Sequence, residues 1–126
     1  MNVYKYLPFM DDKDLDELVD KIVVGEVTEV SLYKTFPFLS DEKLNKLVEY
    51  MIDEQDKKNL TLSLPFISKD SLNKIKSAID EGKLEDFDDS RLLPFMDSSS
   101  IKDLFYAKLK KQKENPVEED KDLDEE

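Results

Sequence analysis

Apolar residues recur along this chain on a helical beat, and the beat restarts four times. Counting from Pro8, Pro37, Pro65 and Pro94, the seventh residue is Leu15, Leu44, Leu72 or Ile101, and the tenth is Leu18, Leu47, Ile75 or Leu104. The eleventh is Val19, Val48, Lys76 or Phe105, and the fourteenth is Ile22, Met51, Ile79 or Lys108. Steps of three, four and seven draw one apolar stripe on an α-helix. The intervening positions are polar: Lys13, Asp16, Asp20, Lys43, Lys46, Glu49, Lys74 and Ser77. The pattern predicts long helices over about 12–24, 41–56, 69–81 and 98–113.

Start signals recur in the same register. Asp11, Ser40, Ser68 and Asp97 each stand three residues after the proline and are strong N-cap residues. Acids follow in the first turn (Asp12 and Asp14, Asp41 and Glu42, Asp70), where the helix dipole favours negative charge. The only two glycines, Gly25 and Gly82, fall seventeen residues after their prolines, as left-handed C-terminal caps. Glu54 holds that place in the second copy, so its helix is expected to continue through 56 before Lys57-Lys58-Asn59.

A short helix is expected to run into each proline. Ser31 to Phe36 and Asp89 to Leu93 carry a cap and an apolar stretch, and Ser90 as cap would put Pro94 in the first turn. Asn59 to Leu64 alternates like a strand, but its three analogues favour a short helix or turn. The prolines are 29, 28 and 29 residues apart. A constant period of this size is the mark of a repeat architecture. The expected fold class is all-α: four tandem helix-turn-helix units of about 29 residues, a short α-solenoid-like array. The units are approximately 3–28, 29–58, 59–86 and 87–113, forming one domain over 1–113, and 114–126 is an acidic tail expected to be disordered. At the level of class this resembles two-helix α-solenoid repeats, but the tetratricopeptide and HEAT signatures are absent and the period is shorter. The resemblance implies a fold and no function.

Pro8-Phe9, Pro37-Phe38, Pro65-Phe66 and Pro94-Phe95 form the structural repeat motif. Proline fixes a corner, and each phenyl ring is expected to fill the junction between two helices.

Charge narrows the function. Charged residues make up 40% of the chain and the net charge is -12. Residues 115–126 hold seven acids against Lys121, half of that net charge. Blocks of this kind are solvated tails. Direct nucleic-acid binding needs clustered cations, so none is expected. Cysteine and histidine are absent and Arg91 is the only arginine, which removes thiolate nucleophiles, the commonest general base and the usual transition-metal ligands. No catalytic residue, metal site or cofactor is expected, and an enzyme is not. Asp11 to Asp16 begins like a calcium loop but lacks the glycine at its sixth position. Glu85-Asp86-Phe87-Asp88-Asp89 is left as the one loop with the carboxylates for a weak divalent-cation site. No signal peptide or span of about 20 apolar residues is read, so a cytoplasmic protein without membrane contact is expected.

Tyr6, Tyr50 and Tyr106 fall outside the packing columns, and Tyr4 and Tyr33 share one column four residues before a proline. Tyrosine is enriched at interface hot spots, so Tyr4, Tyr33, Tyr50 and Tyr106 are the candidate partner contacts. The expected function is a non-enzymatic protein–protein interaction or adaptor module whose acidic faces prefer a partner with a basic surface. The alternative is an acidic nucleic-acid mimic that occupies a DNA- or RNA-binding protein. Against it stand the 18 lysines and arginines interspersed through residues 1–114.

Overall fold

The computed structural model describes residues 2–114, and among them all regular structure is helical. The acidic segment beyond Glu114 lies outside the described residues. Contacts divide the chain into two units, Met1–Leu92 and Leu93–Glu126.

In the first unit the long helices are α1 (Asp12–Val23), α2 (Asp41–Asp53) and α4 (Lys69–Asp80), with a short α3 (Lys57–Ser63) between the last two. Their start sites follow from local chemistry. Asp11 Oδ1 accepts the Asp14 amide at 2.9 Å, and Ser40 Oγ and Ser68 Oγ accept those of Lys43 and Ser71 at 3.3 Å each. Each such cap satisfies one orphan donor and is worth about 1 kcal/mol.

The three long helices of this unit also stop alike. The Glu26 amide donates to the Lys21 carbonyl and Gly25 to Ile22; Asp56 donates to Met51 and Gln55 to Ile52; Lys83 donates to Ala78 and Gly82 to Ile79. This is the Schellman pairing, which needs one residue in the left-handed region. Gly25 (φ +87°) and Gly82 (φ +78°) fill it at no steric cost, and in α2 the place is taken by Gln55 (φ +57°). So α2 ends at Asp53, not near 56 as its glycine-free sequence suggests. Asp56 then caps α3, its Oδ1 accepting the Asn59 amide at 3.2 Å. The strand-like stretch 59–64 is therefore helical, as its analogues indicate, and buries Leu60, Ser63 and Leu64.

The prolines sit at tight corners. 3-10 helices cover Val3–Phe9, Leu32–Lys34, Phe36–Phe38 and Asp89–Phe95, and Pro65 follows the end of α3. The phenyl rings do not fill these corners. Phe9 is 88% exposed, Phe66 41% and Phe95 39%, and Phe38 is half-buried. The side chain inside is the one before the proline: Leu7, Phe36 and Leu64 are buried, and Leu93 is half-buried. With about three residues per turn, a residue and its second neighbour point some 120° apart, so one apolar column turns inward and the other outward. Phe66 keeps one contact with the interior, its ring centroid 6.2 Å from that of Phe36. At the last corner the sequence-expected cap Ser90 is itself the donor: its amide and hydroxyl both reach Asp88 Oδ1, at 3.0 and 2.7 Å.

The core of this unit centres on α2, which packs against α1, α3 and α4. Leu47, Val48 and Met51 are fully enclosed, together with Val19, Leu60 and Ile75. Each such side chain contributes about 1.5–3 kcal/mol relative to exposure. The buried hydroxyls of Thr35 and Ser63 donate to the carbonyls of Leu32 and Leu60 in their own turns, both at 2.7 Å, so they enter the core without an unmet hydrogen bond. Charge pairs cross the helix seams at matching positions. Asp20 of α1 pairs with Lys46 and, at 3.5 Å, Lys43 of α2; Glu49 of α2 pairs with Lys74 of α4. Both Asp20 and Glu49 stand twelve residues after their proline, and Lys46 and Lys74 nine after theirs.

The second unit contains α5 (Ser98–Glu114), which Asp97 caps by accepting the Ser100 amide at 2.7 Å. Ile101 and Leu104 are half-buried, and Phe105 is 58% exposed.

Candidate interaction surface

The 3-10 helix Val3–Phe9 begins where Asn2 Oδ1 accepts the Tyr4 amide at 3.0 Å. Its three-residue turn aligns Val3, Tyr6 and Phe9 on one edge. All three face solvent, at 52%, 51% and 88% exposure, while Leu7 points inward. Lys5 Nζ lies 5.7 Å from the Tyr6 ring centroid. A ridge of three large apolar side chains thus stands on an otherwise charged surface. The spacing of three was available in the sequence, but it signals a face only once the segment is known to be 3-10 rather than α.

Tyr4 turns the other way and is half-buried. Its Oη accepts the Ser31 amide at 2.9 Å, and Lys34 Nζ lies 4.5 Å from its ring centroid. Hydrogen bonding with Ser31, ahead of the Lys34 charge, holds the phenol below its ordinary pKa. Tyr4 thereby ties the first 3-10 helix to the 31–34 segment.

On that segment Tyr33 is 44% exposed and lines a cleft of about 510 Å3 together with Tyr50 of α2. Ile22, Val27 and Val30 form the apolar floor, and Glu54 and Asp56 stand at the α2–α3 corner. A second cleft of about 390 Å3 borders the same Tyr50 and Glu54 and adds Val23 and Asp53. Helix α2 ends on Asp53 and Glu54 with no basic residue in its last turn. The structure gives neither carboxylate an ion pair, whereas at the end of α4 Glu81 meets Lys83 at 3.4 Å. Carboxylates at the negative end of a helix dipole are locally unfavourable, so this pair works against its own helix.

Tyr33 and Tyr50 therefore share one cleft, and Tyr4 braces the back of the segment that carries Tyr33. Tyr106 lies on α5, 57% exposed, with its ring edge-on to Phe105 at 5.5 Å. In the Glu85–Asp89 loop Asp86 adopts φ +56° and Asp88 is engaged by Ser90. Among the described residues no three acidic side chains gather as metal ligands, and no helix is long and apolar enough to cross a membrane.

No family model fits the chain, and neither a curated protein nor a solved structure is significantly similar to it. What the surface offers is contact chemistry: exposed rings, a tyrosine-walled cleft and carboxylates without cations.

Proposed function

We propose that the chain is a non-enzymatic protein-interaction module built from tandem helical units, acting as an adaptor whose partner has a basic, partly apolar surface. Support for tandem units comes from the recurrence of the same local devices: N-caps at one register, Schellman ends, and charge pairs joining equivalent columns across two successive helix seams. A stacked array of such units offers a surface whose contacts vary while the packing columns stay fixed.

One observation carries the interaction reading: Phe9 is 88% exposed at a motif that recurs four times. A recurring buried ring is explained by packing, but this one, flanked by Val3 and Tyr6, has no such role. Apolar patches standing on a charged surface mark contact sites. The acidic-mimic alternative is weaker, because Asp20, Glu49, Glu17 and Glu81 are tied to lysines and do not form a free phosphate-like row. The test is affinity capture from the native host with the full chain and its Tyr6→Ser/Phe9→Ser variant, quantified by mass spectrometry. Proteins lost from the variant but retained at moderate salt support the module. An identical captured set with both baits refutes it.

A further inference from the structure

We propose that the Tyr33–Tyr50 cleft is the seat for a basic peptide segment of the partner protein, with an apolar side chain between the two rings and a neighbouring lysine or arginine on Asp53 and Glu54. This deepens the interaction reading and rests on it.

Three features of the cleft define the occupant. Its volume of about 510 Å3 lies within the range of specific small binding sites. The floor of Ile22, Val27 and Val30 with two tyrosine walls accepts one aliphatic or aromatic side chain, and tyrosine supplies contact area at low entropic cost. The charge requirement comes from the end of α2. Asp53 and Glu54 are exposed, lack an ion pair, and sit where the helix carbonyls already concentrate negative potential. Asp56 adds to the field while its oxygens cap α3 through Asn59. Opposing them are Lys58 in the first cleft and Lys46 in the second, the latter already paired with Asp20. An incoming cation meets two free carboxylates and a helix C-terminus together, and an acidic ligand meets the same three with the opposite sign.

The electrostatics also yield a clean variant. Replacing Asp53 and Glu54 by lysine removes the cation site and places positive charge at the dipole end that favours it, so the fold is expected to hold. The probes are fluorescein-labelled Lys-Lys-Leu-Phe-Lys-Lys, its charge-reversed form Glu-Glu-Leu-Phe-Glu-Glu, and Lys-Lys-Gly-Ser-Lys-Lys, which lacks the apolar pair. Binding to the full chain is followed by anisotropy and by amide shifts in 1H–15N spectra. The first peptide is expected to bind and to move resonances at 27–33 and 50–56. The other two, and the first peptide on Asp53→Lys/Glu54→Lys, should bind on the order of tenfold more weakly or worse, the scale of losing a charge pair in a partly desolvated contact. Tyr33→Ala should weaken binding too, whereas Asp80→Lys at the end of α4 should not.

No binding at millimolar peptide, equal affinity for the charge-reversed form, unchanged affinity of the Asp53→Lys/Glu54→Lys variant, or shifts confined to other segments would each overturn the proposal. The host capture separates the two levels. Partners that remain on the Asp53→Lys/Glu54→Lys bait sink the cleft assignment and leave the interaction module standing. A host capture that fails altogether sinks the module, and the peptide titration then still decides the cleft.

Discussion

Gln55 holds a backbone conformation that glycine holds at the other two equivalent helix ends, and its replacement separates two opposing effects. At φ +57° a residue with a Cβ is strained by about 1 kcal/mol relative to glycine. Against that, the Gln55 side chain reaches the 83–85 loop: its Nε2 donates to the Lys83 carbonyl, and its Oε1 accepts the Glu85 amide at 3.2 Å. A typical net contribution is about 0.5–1.5 kcal/mol per hydrogen bond, and the exposed position puts these two at the lower end, about 1 kcal/mol together. Gln55→Gly relieves the strain and loses the bridge, so it should leave stability within a few tenths of a kcal/mol. Gln55→Ala keeps the strain and loses the bridge, and should cost about 1 kcal/mol. Urea unfolding followed by circular dichroism measures both, and amide exchange should show faster exchange at Glu85 in either variant. A Gln55→Gly protein more stable than the parent by a full kcal/mol would show that the bridge contributes nothing. Gln55→Ala indistinguishable from the parent would refute the bridge, since both proteins share the strain, and a Gln55→Gly protein as destabilised as Gln55→Ala would refute the strain.

Phe36→Ala should cost about 3–5 kcal/mol, the scale for a buried aromatic, whereas Phe9→Ala should change stability by less than about 0.5 kcal/mol; parallel urea titrations decide, and equal losses would mean Phe9 packs in solution. Asp11→Ala and Ser40→Ala should each cost about 1 kcal/mol through loss of an N-cap, and Asp11→Asn much less, since asparagine caps as well. For Asp20, the Lys46 contact foremost and Lys43 with it hold the carboxyl below the ordinary aspartate range. A depressed folded pKa adds stability that is present above about pH 4, the unfolded value, and lost as pH falls through the lower folded value. Lys46→Met should therefore raise the Asp20 titration midpoint seen by carboxyl-carbon NMR, and an unmoved midpoint would show that the pair does not form in solution.

Helix placement was readable because its causes are local. The caps at Asp11, Ser40, Ser68 and Asp97 depend on residues three apart, and the stripe through Leu44, Leu47, Val48 and Met51 has only one face that can be buried. The corners resisted because two apolar columns compete there. Leu7, Phe36 and Leu64 and the phenylalanines two residues later look equally suited to a core, and only the sense of the turn assigns one column inward. The end of α2 was hidden for another reason: glutamine carries no left-handed signature, and the bonds that hold Gln55 come from a loop about thirty residues away. The cleft was half legible. Tyrosines outside the packing columns flagged Tyr50, but the cleft it shares with Tyr33 and Glu54, and the second it shares with Asp53, exist only after α2, α3 and the 24–34 segment are assembled.

The salt bridges Asp20–Lys46 and Glu49–Lys74 are half-exposed, so their contribution to stability is small. Their consequence concerns which segments tolerate being side by side. Within the first unit an acid at the twelfth place of one long helix meets a lysine at the ninth place of the next. A gene shuffled so that residues 59–86 came before 29–58 would juxtapose Asp20 with Lys74 and leave Glu49 without that lysine. The order of α1, α2 and α4 is thus written into their flanks, as teeth that mesh in one sequence and slip in another.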